Sequence, residues 1–148
     1  MATQATVASG STTPSTQAPS SGGWVKPTTN YHITSTFGMR VHPILGYARK
    51  HSGVDMAAPK GTPVYAAKSG KVTAAGFEGQ MGNYVSINHG DGFASIYMHM
   101  THSIVSAGTY VNAGQVIGYV GSTGLSTGPH LHFGISYNGT YVNPMAYI

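Results

Sequence analysis

Cysteine is absent from the 148 residues. That excludes disulfides, thiolate metal sites and cysteine nucleophiles. It leaves the compartment open, since a reducing cytosol and an oxidising one both accept such a chain. Acidic residues are scarce: Asp55, Glu78 and Asp91 are the only three. Any chemistry that needs a carboxylate must draw on these. Phe77 precedes the single glutamate, so no His-Glu-x-x-His helix with its glutamate base can be present. No apolar run approaches the roughly 20 residues of a membrane-spanning helix, so membrane insertion is not expected. The first residues lack both a basic start and an apolar stretch of about 7–15 residues. A secretion signal is therefore expected to have been removed, or to lie upstream in a longer protein. Positive charge is modest and dispersed. Seven Lys and Arg give a formal net charge of +4, and only Arg49-Lys50 are adjacent. A nucleic-acid binder would gather such residues into a stripe with aromatics, so no nucleic-acid partner is expected. Weak attraction to an anionic polymer and simple solubility account for the charge equally well.

What is present falls into two parts. Residues 1–23 are Ala, Thr, Ser, Gln, Gly and Pro with scattered Val and Met, and contain no charge and no aromatic. Such a stretch buries too little apolar surface to offset its ordering entropy and reads as a linker or tether. Trp24 opens the patterned region, and residues 24–148 suffice for one domain with its own core. Short runs of Val, Ile, Tyr and Thr recur between Gly, Asn and Pro. They predict strands at 33–37, 63–67, 71–75, 84–88, 94–99, 110–111, 115–120 and 130–136, with a hairpin turn across Asn88-His89-Gly90-Asp91-Gly92. No window of 11 residues keeps a helical period. The expected fold is all-β, mainly antiparallel, with long loops and little helix. Gly61-Thr62-Pro63-Val64-Tyr65 followed by Gly70-Lys71-Val72 is echoed by Gly108-Thr109-Tyr110-Val111 followed by Gly114-Gln115-Val116. A duplicated β unit and the common chemistry of β-turns both explain this.

Two short segments carry the chemistry: His51-Ser52-Gly53-Val54-Asp55 and His130-Leu131-His132. Neutral imidazoles with a carboxylate suit zinc. On a strand His130 and His132 share one face, with Leu131 and Phe133 on the other. His51 and Asp55 would stand about 13 Å apart on a straight strand, too far to share an ion. Either a helical turn or a bend must bring them together. Gly53 permits a bend, and Pro59 with Lys60-Gly61 argues against a continuing helix; a bent loop running into a short strand is expected. A catalytic zinc keeps one coordination position open, so three protein ligands are needed and one imidazole among His51, His130 and His132 is spare. With carboxylates exhausted, a histidine must do the acid–base work. His99 is the obvious partner, because Ile96-Tyr97-Met98-His99-Met100 is otherwise an apolar strand. A lone strand histidine is ordinarily a satisfied structural group, and His51 with Asp55 alone could be a turn hydrogen bond. It is the set of four histidines and one aspartate that points to a site. His89 reads as structural and His102 as surface. His42, just before Pro43, lies close enough in sequence to reach the site, and Glu78 is a weaker candidate base.

These residues match a known family. The chain resembles the lysostaphin-type zinc metallopeptidases, which cut peptides in bacterial peptidoglycan. The resemblance runs from about Phe37 to Pro144. It passes through Phe37-Gly38-Met39-Arg40-Val41-His42-Pro43, the His51 and Gly61 segments, Tyr97-Met98-His99, and Gly121-Ser122-Thr123-Gly124-Leu125-Ser126-Thr127-Gly128-Pro129-His130-Leu131-His132-Phe133. It implies a β-sheet groove of the duplicated hybrid type in residues 24–148. It implies one zinc per chain held by His51, Asp55 and His132, with His130 and His99 polarising the water and stabilising the oxyanion. Tyr47, His42 and Ser126 are expected to line the substrate cleft. The implied protein is a monomeric endopeptidase, extracellular or in the cell envelope of a bacterium, acting on stem or cross-bridge peptides. A non-catalytic wall-binding or regulatory module on the same fold is the alternative. A biotinyl- or lipoyl-type carrier is a distant third, because its only candidate lysine is Lys68.

Overall fold

The computed structural model describes residues 23–41, 48–126 and 128–148, and for 39–41 and 48–50 the backbone alone. Among them are twelve strands: β1 (His32–Ser35), β2 (Gly38–Val41), β3 (Ala48–His51), β4 (Val54–Ala57), β5 (Pro63–Tyr65), β6 (Gly70–Glu78), β7 (Gly82–Gly90), β8 (Phe93–Ser103), β9 (Tyr110–Val111), β10 (Val116–Val120), β11 (His130–Tyr137) and β12 (Thr140–Val142). A 3₁₀ turn at Pro144–Ala146 follows, with Asn143 capping it. The main sheet runs β1-β4-β11-β8-β7-β6-β9. Every pairing in it is antiparallel. β12 lies beside β11, β10 joins β8 to β5, and β2 with β3 forms a separate hairpin.

Strand alternation sorts the sheet into two faces. Val54 and Met56 of β4, Val85 and Ile87 of β7, Tyr97 of β8, and Leu131, Phe133 and Ile135 of β11 are fully buried on one side. Burying each such side chain stabilises the fold by roughly 1.5–3 kcal/mol before entropy is counted. Trp24 is part of this core, packed edge-on against Phe93 and close to Tyr147. The opposite face, where the family resemblance implies a groove, carries Asp55, Met98 and His132.

Several strands run longer than the pattern of β-branched residues implied, whereas β1, β5 and β10 are shorter than the expected 33–37, 63–67 and 115–120. β6 and β7 extend to nine residues each and β8 to eleven, because ladder partners hold Gly and Asn within them. β2, β3 and β12 were not anticipated. They are rich in polar or small residues at the edge, where pairing rather than burial defines a strand. The expected turn at 88–92 is tighter than its composition suggested. Asn88 and His89 lie on β7, and only Asp91 and Gly92, at φ 54° and 86°, make the turn. With Gly90 at φ 82°, three successive residues have positive φ, and positive φ at both central turn residues is the hairpin geometry that matches strand twist. The two echoed segments pair reciprocally: β5 of the first with β10 beyond the second, and β9 of the second with β6 beyond the first. Gly114 N–H donates to the Ala66 carbonyl and Gly108 N–H to the Val72 carbonyl, 2.8 and 2.7 Å. A duplicated unit would give this exchange.

Candidate metal centre

Register brings the candidate side chains together. His132 of β11 stands opposite Asp55 of β4 and, on its other flank, opposite Met98 of β8. His51 closes β3, and the chain bends through Ser52 and Gly53 into β4, as the spacing required. A Cβ on Gly53 would overlap the Phe133 carbonyl oxygen and come within 2.9 Å of His132 Nε2. Glycine is therefore what lets the bend lie flat against β11 and return His51 to the aspartate.

Asp55 is the hub. Its Oδ2 is 3.4 Å from His51 Nε2, and its Oδ1 is 3.0 Å from His132 Nδ1 and 3.8 Å from His130 Nε2. One donor atom from each of His51, Asp55 and His132 lies within 4.8 Å of the others, a group that could hold a metal ion. Ligands of one tetrahedral zinc, each about 2.0–2.1 Å from it, are separated by roughly 3.3 Å. The 3.0 Å spacing, to Oδ1, and the 3.4 Å spacing, to Oδ2, are of that order but reach different oxygens of Asp55; two imidazole nitrogens with a carboxylate are a suitable donor set.

Backbone carbonyls fix the tautomers. A carbonyl only accepts, so an imidazole nitrogen beside one carries the proton. His51 Nδ1 donates to the Thr36 carbonyl at 2.9 Å, His130 Nδ1 to that of Gly128 at 2.8 Å, and His99 Nδ1 to that of Thr123 at 2.8 Å. In each ring the lone pair is left on Nε2. His132 is turned the other way, with Nδ1 on Asp55, and its buried Nε2 has no hydrogen-bond partner among the described residues.

His99 reaches the group by a local irregularity. Simple alternation along β8 would send it to the core side with Tyr97. Instead it takes φ 66°, and its ring lies 4.8 Å from that of His130 and 6.3 Å from that of His132. The other three non-glycine residues with positive φ among those described are Asn or Asp, types that visit this region readily. Holding a histidine there costs about 1–3 kcal/mol.

The charges are set by the same contacts. Burial raises the Asp55 pKa more than any other single influence. Hydrogen bonds and charge from His132 and His51 together outweigh it, and the carboxyl is held well below the usual range. Burial lowers the His99 pKa, reinforced by the charges of His130 and His132 and opposed by the Thr123 hydrogen bond and by Asp55. A neutral His99 can accept a proton.

Ser126 lies beside this group but faces His130: its Oγ is 3.2 Å from His130 Nδ1 and 3.0 Å from Ser122 Oγ. Tyr47 and His42 lie outside the described residues. Glu78 spends its carboxylate on backbone N–H groups of Gln80 and Met81. His89 is tied at both nitrogens, to the Ser69 carbonyl and Ser95 Oγ. His102 is exposed beside Tyr119. Lys68 is buried over the Trp24 ring, not displayed at a hairpin tip, which removes the carrier reading. The carbonyls of Thr36, Thr123 and Gly128 were missed from sequence, because a main-chain acceptor leaves no mark on residue type.

An antiparallel sheet with a His, Asp, His centre and two further imidazoles on its open face has the architecture of a metal-dependent hydrolase. The chain belongs to peptidase family M23, whose model matches residues 49–144. It is 47% identical over 126 residues to the DD-carboxypeptidase/endopeptidase Mpg of Neisseria meningitidis, covering 84% of this chain and 29% of that one. It is 41% identical over 113 residues to the peptidoglycan DD-endopeptidase ShyC of Vibrio cholerae, covering 76% and 26%. The chain thus spans less than a third of the length of these relatives. Among solved structures, it is similar to a zinc-containing peptidase from Vibrio cholerae, with TM-score 0.77 and 38% identity over 81% of this chain and 38% of that one. The catalytic domain of lysostaphin from Staphylococcus simulans superposes with TM-score 0.71 and 40% identity over 80% and 92%.

Proposed function

We propose that residues 24–148 are the catalytic domain of a zinc-dependent endopeptidase that hydrolyses peptides of bacterial peptidoglycan, with residues 1–23 as its tether. The observation that carries this reading is the convergence of His51, Asp55 and His132 on one point with the His99 and His130 rings beside it. Work on D-amino-acid cross-links is favoured over glycine bridges, because the relatives at 47% and 41% identity carry DD-peptidase names. The same names favour the bacterial envelope as the place of action and peptidoglycan as partner.

His51, Asp55 and His132 would hold the zinc, one per chain. A bound zinc would polarise a scissile carbonyl and make a water molecule more acidic. His130, with its Nδ1 proton committed to Gly128, presents Nε2 as a proton acceptor toward the attacking water. His99, kept neutral by burial, holds its lone pair on Nε2 in a ring 4.8 Å from that of His130. Once protonated, either imidazole can return the proton to the leaving amine and stabilise the oxyanion beside it. Tyr47, His42 and Ser126 remain candidates for the cleft wall.

The test is mass spectrometry of products after zinc-loaded protein is incubated with peptidoglycan of both cross-link types, next to a chelated control. Zinc-dependent release of D-amino-acid cross-linked fragments is expected. No release from either substrate, with zinc confirmed bound, would favour a wall-binding module.

A further inference from the structure

His99 owes its unusual backbone to two loops remote in sequence. Its N–H donates to the Met81 carbonyl at 2.8 Å, in the turn between β6 and β7. Its ring donates to the Thr123 carbonyl, between β10 and β11. The two loops are also fastened to one another. Leu125 N–H donates to the Gln80 carbonyl at 2.9 Å, and Asn83 N–H to Thr123 Oγ1 at 3.1 Å. They approach so closely that a Cβ on Gly82 would overlap Thr123, and one on Gly124 would overlap Gly82. Both glycines have positive φ, so no other residue closes this clasp without strain.

The β6–β7 turn in turn hangs on one side chain. Glu78 Oε1 accepts from the N–H groups of Gln80 and Met81, at 2.7 and 2.8 Å. Met81 is therefore gripped from both ends, its N–H by Glu78 and its carbonyl by the N–H of His99. Charge-assisted acceptors of this kind are stronger than neutral ones.

We propose that Glu78, the one glutamate of the chain, is a positioning residue that holds His99 in its left-handed conformation through the β6–β7 turn. The consequence for turnover rests on the reading of His99 as an acid–base group; the positioning itself does not.

Two variants and one control test it. Glu78→Ala removes the acceptor, and Glu78→Gln keeps an oxygen in place. As the control, Thr62→Ala deletes a turn hydrogen bond elsewhere in the fold, in which the Thr62 hydroxyl donates to the Pro59 carbonyl at 2.7 Å. Nitrogen NMR of the zinc-free protein reads the His99 ring directly. Glu78→Ala should shift the Nδ1–H signal and speed its exchange, Glu78→Gln should restore it, and Thr62→Ala should leave it in place. In the zinc-loaded protein, kcat of Glu78→Ala should fall roughly tenfold to a hundredfold with KM and zinc content retained. Glu78→Gln should recover most of that loss. An unmoved His99 signal in Glu78→Ala, or an equal movement in Thr62→Ala, would overturn the proposal. A signal that moves as expected in a protein without zinc-dependent cleavage would support the clasp and overturn the endopeptidase reading.

Discussion

Two histidine networks occupy opposite faces of one sheet, and they differ in where their hydrogen bonds end. On the core face, Ala67 N–H donates to Tyr97 Oη, and Tyr97, Ser95 and His89 follow in a chain that closes on the Ser69 carbonyl. Every nitrogen of His89 is spent inside the protein. On the groove face, His51, His99 and His130 each spend Nδ1 on a carbonyl, which leaves the lone pair on Nε2, and Nε2 of His51 and His130 lies 3.4 and 3.8 Å from Asp55. Residue type does not separate these histidines. What separates them is where the second nitrogen goes: that of His89 goes to the buried Ser95 hydroxyl, and those of His51 and His130 lie beside the Asp55 carboxylate of the candidate metal centre.

The largest effect expected from breaking the contrast comes at the hub. Asp55→Ala or His132→Ala should lose bound zinc and reduce cleavage to that of the chelated protein, read by metal analysis beside the activity assay. His130→Ala and His99→Ala come next. Each should keep the zinc and lose about 10²–10⁴ in kcat, the usual worth of acid–base catalysis. Equal zinc loss in His130→Ala and His132→Ala would show that the ligand is wrongly chosen.

Much of the groove face was legible because its residues are chemically rare in this chain. An aspartate among three acids, placed four residues from a histidine, stands out, and strand alternation correctly put His130 and His132 on one face with Leu131 and Phe133 on the other. The bend at Gly53 followed from distance together with Pro59 and Lys60-Gly61, which argued against a helical turn. What sequence could not supply was made by the main chain. Alternation misdirects His99, since its positive φ arises from loops about 20 residues away on either side. The reciprocal pairing of β5 with β10 and β6 with β9 was only a faint echo in the glycine spacing. Glu78 was weighed as a base, whereas its oxygen is occupied by two amides.

A smaller effect tests how tightly the groove is built. Gly53→Ala places a methyl against the Phe133 carbonyl and near His132 Nε2. The bend must lift, at a cost of about 1–3 kcal/mol, and His51 lifts with it. Zinc affinity should fall by roughly tenfold to a hundredfold, comparable to losing a supporting contact around a metal ligand, as a zinc titration with a competing chelator would show. Unchanged affinity would mean that β3 and β4 hold His51 without help from the bend.

The smallest expected effect concerns the core-face network, and pH separates it from the groove. Burial, aided by the charge of Lys68 and opposed by hydrogen bonds to the backbone of Ser69 and Lys68, pushes the His89 pKa down to about 4 from 6.5. Neutral His89 accepts from Ser95; protonated, it must donate, and the chain of hydroxyls has to reverse. Tyr97 would then accept from both Ala67 and Ser95, and its own buried proton would have no acceptor within the network. The unfolded chain gains its proton near pH 6.5 and the folded chain only near pH 4. The stability due to a neutral His89 is therefore complete above about 6.5 and is lost as pH falls toward 4, by about 2–3 kcal/mol. The measurement is a difference, so that effects unrelated to His89 cancel. Urea unfolding of zinc-free wild type and His89→Asn, each at pH 7 and pH 4.5, should show a wild-type loss larger by most of that amount. Ser95→Ala should lower stability by about 1–3 kcal/mol at pH 7 while zinc binding stays as in wild type. Equal pH losses in wild type and His89→Asn would mean that His89 titrates as it does in the unfolded chain, and the distinction between the two faces would fail at its simplest point.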